Sequence, residues 1–425
     1  MMEAAELLTT GWCPLNCTYC YIPKSRMMIH LHSRIRGYLQ SGEFIEDLKR
    51  FYGGKLHFLG FWGTEPLLTL SDIKPHLPEI VEAFPNLEAI SFSTSLLYRP
   101  LEIVDFAAAM PRKIQLRVQI SVDGPAWITD RNRRVGAAEE IPRNFETVLR
   151  ELNATSTCPV EFRWKVTHSI ENIRGFTPER VRGFIGYFKR LNATFDRVNR
   201  RRDVTLRRGS FCPTIVVPGK YTANDGRAFA RYLRLFHAEN FDTSYTYRLR
   251  RIIDLFPDIA KTRMFTCSGG DSNAGVGFGK LHICHRTFYY DCPEYVESIV
   301  TQERYKNWDV SHFEEGTVDW VARWFITDDV PRFRYVMRGY HDFWRFKISY
   351  TETMVQLLAK VGEANPRYLS DPGFRQLFAI FENVALSCPM ENLLNTGSIH
   401  LQTLSLIRMF ANGAFEELVE RCKRR

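Results

Sequence analysis

The sequence predicts an α/β protein: a partial (β/α)6 barrel, then a small cysteine-bearing region, then a helical tail. Three observations carry that expectation. Short apolar runs alternate with amphipathic stretches of helical period through the first half of the chain. From about 266 to 295 the chain turns Gly-rich and cysteine-containing with little periodicity, and long helical patterns follow. Strands alternating with helices of this length argue for β–α–β units and a parallel sheet. The expected organisation is a barrel core over 1–255, a small cysteine-bearing region over 256–300 and a helical region over 301–425.

The apolar runs place strands over 6–10, 56–62, 89–93, 115–122, 161–167 and 214–217. Helical periodicity falls over 27–41, 70–84, 100–110, 141–152 and 177–191, and in the tail over 344–363, 373–386 and 399–423. In a barrel of this kind chemistry sits at the C-terminal ends of the strands. Cys13 follows the first strand, Glu65 the second, Ser95 the third and Asp123 the fourth, so all four are expected on one rim.

Composition narrows the setting. No run approaches the ~20 consecutive apolar residues that a membrane helix needs. Residues 1–8 carry Glu3 and Glu6 without a basic segment, so no signal peptide is expected and the location expected is cytoplasmic. In a reducing compartment ten cysteines read as thiols or metal ligands, not a disulfide framework. The balance of 57 Lys and Arg against 48 Asp and Glu favours an anionic partner without deciding one.

Chemistry concentrates in Cys13-Pro14-Leu15-Asn16-Cys17-Thr18-Tyr19-Cys20. Cysteines at C-x3-C-x2-C wrap three thiolates around three corners of a cubic four-iron cluster and leave the fourth iron open. A zinc site is the alternative, but zinc takes a fourth Cys or His nearby. Only His30 follows at short range, inside a helical pattern.

This motif, with Tyr19 before the last cysteine, resembles that of the radical S-adenosylmethionine (SAM) superfamily. The resemblance implies a [4Fe-4S] cluster on Cys13, Cys17 and Cys20 whose open iron is chelated by SAM. It also implies reductive cleavage of SAM to a 5′-deoxyadenosyl radical that takes a hydrogen atom from the substrate. Gly63-Thr64-Glu65-Pro66 is similar to the family's Gly-Gly-Glu-Pro segment, with Thr64 in place of a glycine, and implies that Gly63, Glu65 and Pro66 hold the cofactor's ammonium. Ser95 stands near the ribose-contacting segment, while Ser121 and Arg133 match the cofactor contacts of the subgroup with C-terminal cluster domains. Thr129 occupies a place where His is common.

Cys267, Gly279 and Cys284 are spaced like the opening of a SPASM or twitch domain, which implies one auxiliary [4Fe-4S] cluster completed by Cys292 and Cys388. His285, beside Cys284, stands where sulfatase-maturing relatives carry an Asp that accepts a proton, which makes it the candidate base. Cys158, Cys212 and Cys422 read as ordinary thiols.

Substrate class divides the reading. Six arginines over 197–208 and the basic–aromatic stretch 332–347 suit phosphates and extruded bases, favouring a nucleic acid, with DNA carrying a modified thymine and an isomerase-type rearrangement in first place. A peptide or protein substrate, matured by crosslinking or side-chain oxidation, is the alternative. Such maturases often carry a leader-binding domain, which a motif starting at residue 13 leaves no room for at the N-terminus. A small-molecule substrate fits the basic balance least well. An electron donor such as flavodoxin or ferredoxin is the expected partner, and the sequence is silent on oligomeric state.

Overall fold

A computed structural model describes residues 3–20, 22–207, 213–216, scattered positions between 228 and 239, 273–282, 285–289, 291–300 and 326–331. The strands are β1 (Ala4–Leu8), β2 (Phe58–Trp62), β3 (Ala89–Thr94), β4 (Gln115–Ser121), β5 (Val160–Ser169), β6 (Val204–Arg207), β7 (Pro213–Val216), β8 (Asn273–Gly277), β9 (Lys280–His282) and β10 (Ile326–Thr327). The helices are α1 (Arg26–Gln40), α2 (Glu43–Tyr52), α3 (Leu70–Ile73), α4 (Leu77–Ala83), α5 (Glu102–Ala109), α6 (Ala126–Asn132), α7 (Ala137–Ala154), α8 (Ile170–Arg174), α9 (Pro178–Val198) and α10 (Pro293–Val300). Among the described residues no helix is long and apolar enough to cross a membrane.

β1 to β6 pair in chain order and in parallel, which is the α/β architecture expected. β7 continues along the upper half of β5. One face of the sheet is apolar: Leu7, Leu59, Phe61, Ile90, Phe92, Val118, Ile120 and Phe162 are buried beneath the helices. The other face is polar and concave. Lys165 on β5 brings its Nζ to 5.8 Å from the Trp62 ring on β2, three strands away in the sheet, so the sheet curls into a partial barrel.

Residues 273–282 extend this same sheet. β8 pairs in parallel with β1 on the side away from β2, and β9 folds back antiparallel to β8. The hairpin turns on Phe278 and Gly279, both at positive φ (49° and 76°), a pair of left-handed residues that matches the twist of the strands. The stretch after Gly277 therefore opens with a turn before the strand. β8 is Gly-rich because it lies tight: a Cβ on Gly275 would stand 2.4 Å from the Phe288 ring.

Helix boundaries differ from the periodicity where proline intervenes. The stretch expected as one helix over 70–84 splits into α3, a tight turn over Lys74–His76 and α4, because Pro75 and Pro78 offer no N–H. α7 starts at Ala137, ahead of Pro142, which lies inside it. The Ala138 carbonyl that Pro142 leaves without its helical donor accepts instead from the Tyr187 hydroxyl of α9 at 2.8 Å.

Candidate functional site

β1 delivers the chain to the cysteine loop. The Thr9 amide still donates to the Trp62 carbonyl at 2.7 Å, and Thr10 is buried beyond it. The loop then turns on itself, with the Cys20 amide donating to the Cys17 carbonyl at 3.0 Å and the Leu15 amide to the Cys13 sulfur at 3.4 Å. Burial, with the nearby Glu65 carboxylate, pushes the Cys13 thiol up to about 12. Burial also pushes Cys17 up to about 11, against the pull of Arg133 and Lys24. Thiolates this costly to form without metal are formed by metal binding, which displaces the proton.

Among the described residues no group of three or more His, Cys, Asp or Glu side chains is placed to hold a metal ion. The fit to an anionic cluster rests on a neighbouring cation. Lys24, four residues past Cys20, has its Nζ buried without a hydrogen-bond partner, and its charge acts on both Cys13 and Cys17. An anionic cluster would give that ammonium the compensation it otherwise lacks.

The turn after β2 is sewn onto this loop. The Thr10 hydroxyl oxygen accepts from the Thr64 and Glu65 amides at 2.6 and 3.2 Å, and the Thr64 hydroxyl donates to the Trp12 carbonyl. Thr64 thus has work that a glycine in its place could not do. Gly63 has φ +150°, and a Cβ there would lie 2.3 Å from the Thr10 Oγ1 and 2.5 Å from its carbonyl oxygen. Pro66 opens a buried turn behind Glu65.

Glu65 is buried, and its acceptors are aimed. Its Oε1 accepts from the Thr94 hydroxyl at 2.6 Å; its Oε2 accepts from the Ser95 amide at 2.9 Å and the Ser95 hydroxyl at 2.5 Å. Ser95, expected on the cofactor's ribose, holds Glu65. The next residue, Leu96, is fully buried at φ +60°, a costly conformation for a bulky side chain that marks a constrained segment. Burial raises the Glu65 carboxyl despite those hydrogen bonds, and Glu65 makes no ion pair with a described residue. A buried carboxylate lacking a cation, close enough to raise the Cys13 thiol, fits a ligand ammonium.

A third strut rises from the end of β4. Asp123 is fully buried and accepts from Arg133 Nε at 3.0 Å, Arg133 Nη2 at 3.2 Å, the Thr167 amide at 3.1 Å and Asn132 Nδ2 at 3.3 Å. The Tyr19 hydroxyl donates to Asp123 at 2.9 Å and accepts from Arg133 Nη2 at 2.6 Å. The Thr18 amide donates to the Asn132 carbonyl at 2.8 Å. Arg133, expected on the cofactor, places Nε on Asp123 and Nη2 on both Asp123 and Tyr19, and Tyr19 is a strut within the cysteine loop. Ser121, also expected on the cofactor, stands beside Lys165 in the sheet register.

On the concave face His285 accepts an anchor from β1. Its Nδ1 lies 2.7 Å from the Glu6 carboxylate, its amide donates to the same oxygen at 3.1 Å, and its ring stacks 3.6 Å from the Trp62 ring. Burial raises the Glu6 carboxyl, but the charge and hydrogen bonds of His285, with one from Asn273, outweigh it and hold it low. Cys292 is buried under α10, donates its thiol to the Phe288 carbonyl at 3.5 Å and is pushed by burial up to about 12. Cys267, Cys284 and Cys388 lie outside the described residues, as do the basic–aromatic stretch 332–347 and the tail helices.

The first part of the arginine run, 197–203, lies at the far end of the sheet from this rim. Residues 200–203 enter β6 from below, at the N-terminal edge of the sheet, opposite the cysteine loop. Arg201 Nη1 caps α7 through the Leu152 and Thr155 carbonyls at 3.0 and 2.9 Å, and Arg197 pairs with Glu146 at 3.0 Å. Lys24, Asp123 and Thr10 are the contributors that sequence reading did not assign a role.

No family model matches the chain, and no curated protein does. Among solved structures, native anSMEcpe with bound AdoMet aligns at 17% identity over 74% of this chain and 85% of that one, with a TM-score of 0.43. Native anSMEcpe with AdoMet and the Cp18Cys peptide aligns at 16% identity over 74% and 85%, with a TM-score of 0.41. At that distance only this chain's own residues bear on its chemistry.

Proposed function

We propose that this chain is a radical SAM enzyme that binds a [4Fe-4S] cluster through Cys13, Cys17 and Cys20 and acts on a peptide or protein. The observation that carries the reading is the buried Glu65 carboxylate, without a cation partner among the described residues, set against a loop of three thiols that Tyr19, Asp123 and Arg133 lock to the barrel rim. The reduced cluster, when bound, supplies the electron that splits SAM for hydrogen-atom abstraction. Glu65 receives the cofactor's ammonium, a charge-assisted contact made in a buried site. Gly63 keeps the backbone flat against Thr10 so that Glu65 reaches the rim. Lys24 offsets the negative charge of the thiolates. His285, fixed by Glu6 and the Trp62 face, stands on the concave wall as the group that takes up a proton from the substrate.

The peptide class takes precedence over nucleic acid because Arg197 and Arg201 are committed to holding the fold at the far edge of the sheet. An auxiliary cluster on Cys267, Cys284, Cys292 and Cys388 and a flavodoxin- or ferredoxin-type donor complete the reading. The test is 5′-deoxyadenosine yield from the iron-loaded, reduced protein with synthetic peptides bearing Ser, Cys or Tyr, and separately with thymine-modified DNA. Stimulation by a peptide supports the reading. Stimulation by the DNA alone overturns its substrate class.

A further inference from the structure

Strand alternation lines one side of the concave face with positive charge. Glu161, Arg163 and Lys165 share that face of β5. Register sets Arg163 between Gln119 and Arg207, Lys165 beside Ser121, and Arg117 beside Glu161. Arg117 is committed below: its Nε donates to Gln115 at 2.7 Å and its guanidinium lies 5.3 Å over the Phe58 ring. Lys165 leans over Trp62. Arg163 and Arg207 make no hydrogen bond or ion pair among the described residues, and both reach solvent.

We propose that Arg163 and Arg207, with Lys165 above them, form a binding site for a substrate carboxylate, so that the peptide carries an acidic residue close to the one that reacts. This rests on the peptide reading above. Two planar guanidinium forks side by side suit a carboxylate gripped in bidentate fashion. Arg163 reaches solvent yet sits inside the curl of the sheet, where surrounding protein displaces part of its hydration. That partial burial, with Arg207 and Arg117 alongside, loosens its hold on the proton, and Glu161 offsets this only in part. A ligand anion relieves that repulsion.

Glu161 in the same patch favours one carboxylate over a phosphate chain, because it repels a polyanion at close range. The site stands level with Trp62, and the chain runs from Gln119 to the end of β4 and two residues beyond it to Asp123, or about 13 Å at the rise of a strand. An extended peptide spans that distance in about four residues. The acidic residue therefore falls within about four positions of the reacting one.

Fluorescence anisotropy of the iron-loaded protein with labelled octapeptides reads the site directly. One probe carries a central Glu-Asp pair and its counterpart carries Gln-Asn; octathymidylate is the third. The acidic peptide is expected to bind at least tenfold tighter than its amide counterpart. Arg163→Met and Arg207→Met are expected to abolish that preference, while Arg150→Met on the outer surface preserves it. Equal binding of the two peptides, a preference indifferent to both variants, or no binding by any probe overturns the site. So does octathymidylate binding that those variants abolish, which assigns the patch to nucleic acid. Substrate-free 5′-deoxyadenosine release from the same preparations reports separately on the radical chemistry: its absence beside an intact acidic preference sinks that chemistry and leaves the carboxylate site standing.

Discussion

Arg133→Leu probes the strut that holds the cysteine loop. The Arg133 side chain is 6% exposed and that of Asp123 0%, and the pair meets at 3.0 Å. Removing the guanidinium leaves a buried aspartate with Tyr19, Asn132 and the Thr167 amide as its donors among the described residues. Breaking a buried ion pair on one side costs about 3–5 kcal/mol. That is a large share of the roughly 5–15 kcal/mol that a typical domain has to lose. Tyr19 loses its donor at the same time, so the loop between Cys17 and Cys20 loosens before the sheet does. Urea unfolding of the metal-free protein reads the first effect, and bound iron after anaerobic reconstitution reads the second. The double variant Arg133→Leu, Asp123→Leu removes both charges and is expected to recover part of the loss, because an apolar pair carries no stranded charge. A single-variant loss under about 1 kcal/mol with full iron loading would refute the strut.

Three further outcomes follow from the same geometry. Gly63→Ala forces a Cβ into the Thr10 backbone and is expected to cost about 1–3 kcal/mol and most of the iron, read by thermal melting and iron content; an unchanged melting temperature with full loading contradicts it. Glu65 holds its proton to higher pH folded than unfolded, so its ionisation costs stability, a cost absent below the ordinary carboxylate range and complete above the raised value. Glu65→Gln is therefore expected to raise metal-free stability at pH 8 but not at pH 4 while weakening SAM binding, and an equal loss of stability at both pH values argues against it. Lys24→Met removes a cation that favours the more negative, reduced cluster, so a redox titration is expected to give a lower potential, and a higher one contradicts the placement.

Much of the barrel was legible because its strands bury one face against helices. The alternation Leu116, Val118, Ile120 marks β4 in the bare sequence, and Val160 with Phe162 marks β5. β6 escaped because Thr205 and Arg207 give it one polar face and four residues in all. β8 escaped because Asn-Ala-Gly-Val-Gly has almost no side chain to pattern, and its partner β1 lies far off in sequence. α2 was missed although Phe44, Ile45, Leu48, Phe51 and Tyr52 lie at helical spacing. In the site, the thiols were readable from local spacing alone. The Tyr19–Asp123 contact joins residues 104 apart, and no local pattern encodes it. Ser95 is legible as a rim residue, but its contact with Glu65 is not, since a hydroxyl at a strand end suits a carboxylate as well as a ribose.

The most direct measurement is the yield of 5′-deoxyadenosine and methionine from SAM by the anaerobically reconstituted, chemically reduced protein, beside Cys17→Ala prepared in the same way. The account predicts both products in equal amounts from the wild type and neither from the variant. A cluster-loaded wild type that releases no 5′-deoxyadenosine, or a Cys17→Ala protein that releases as much, contradicts it.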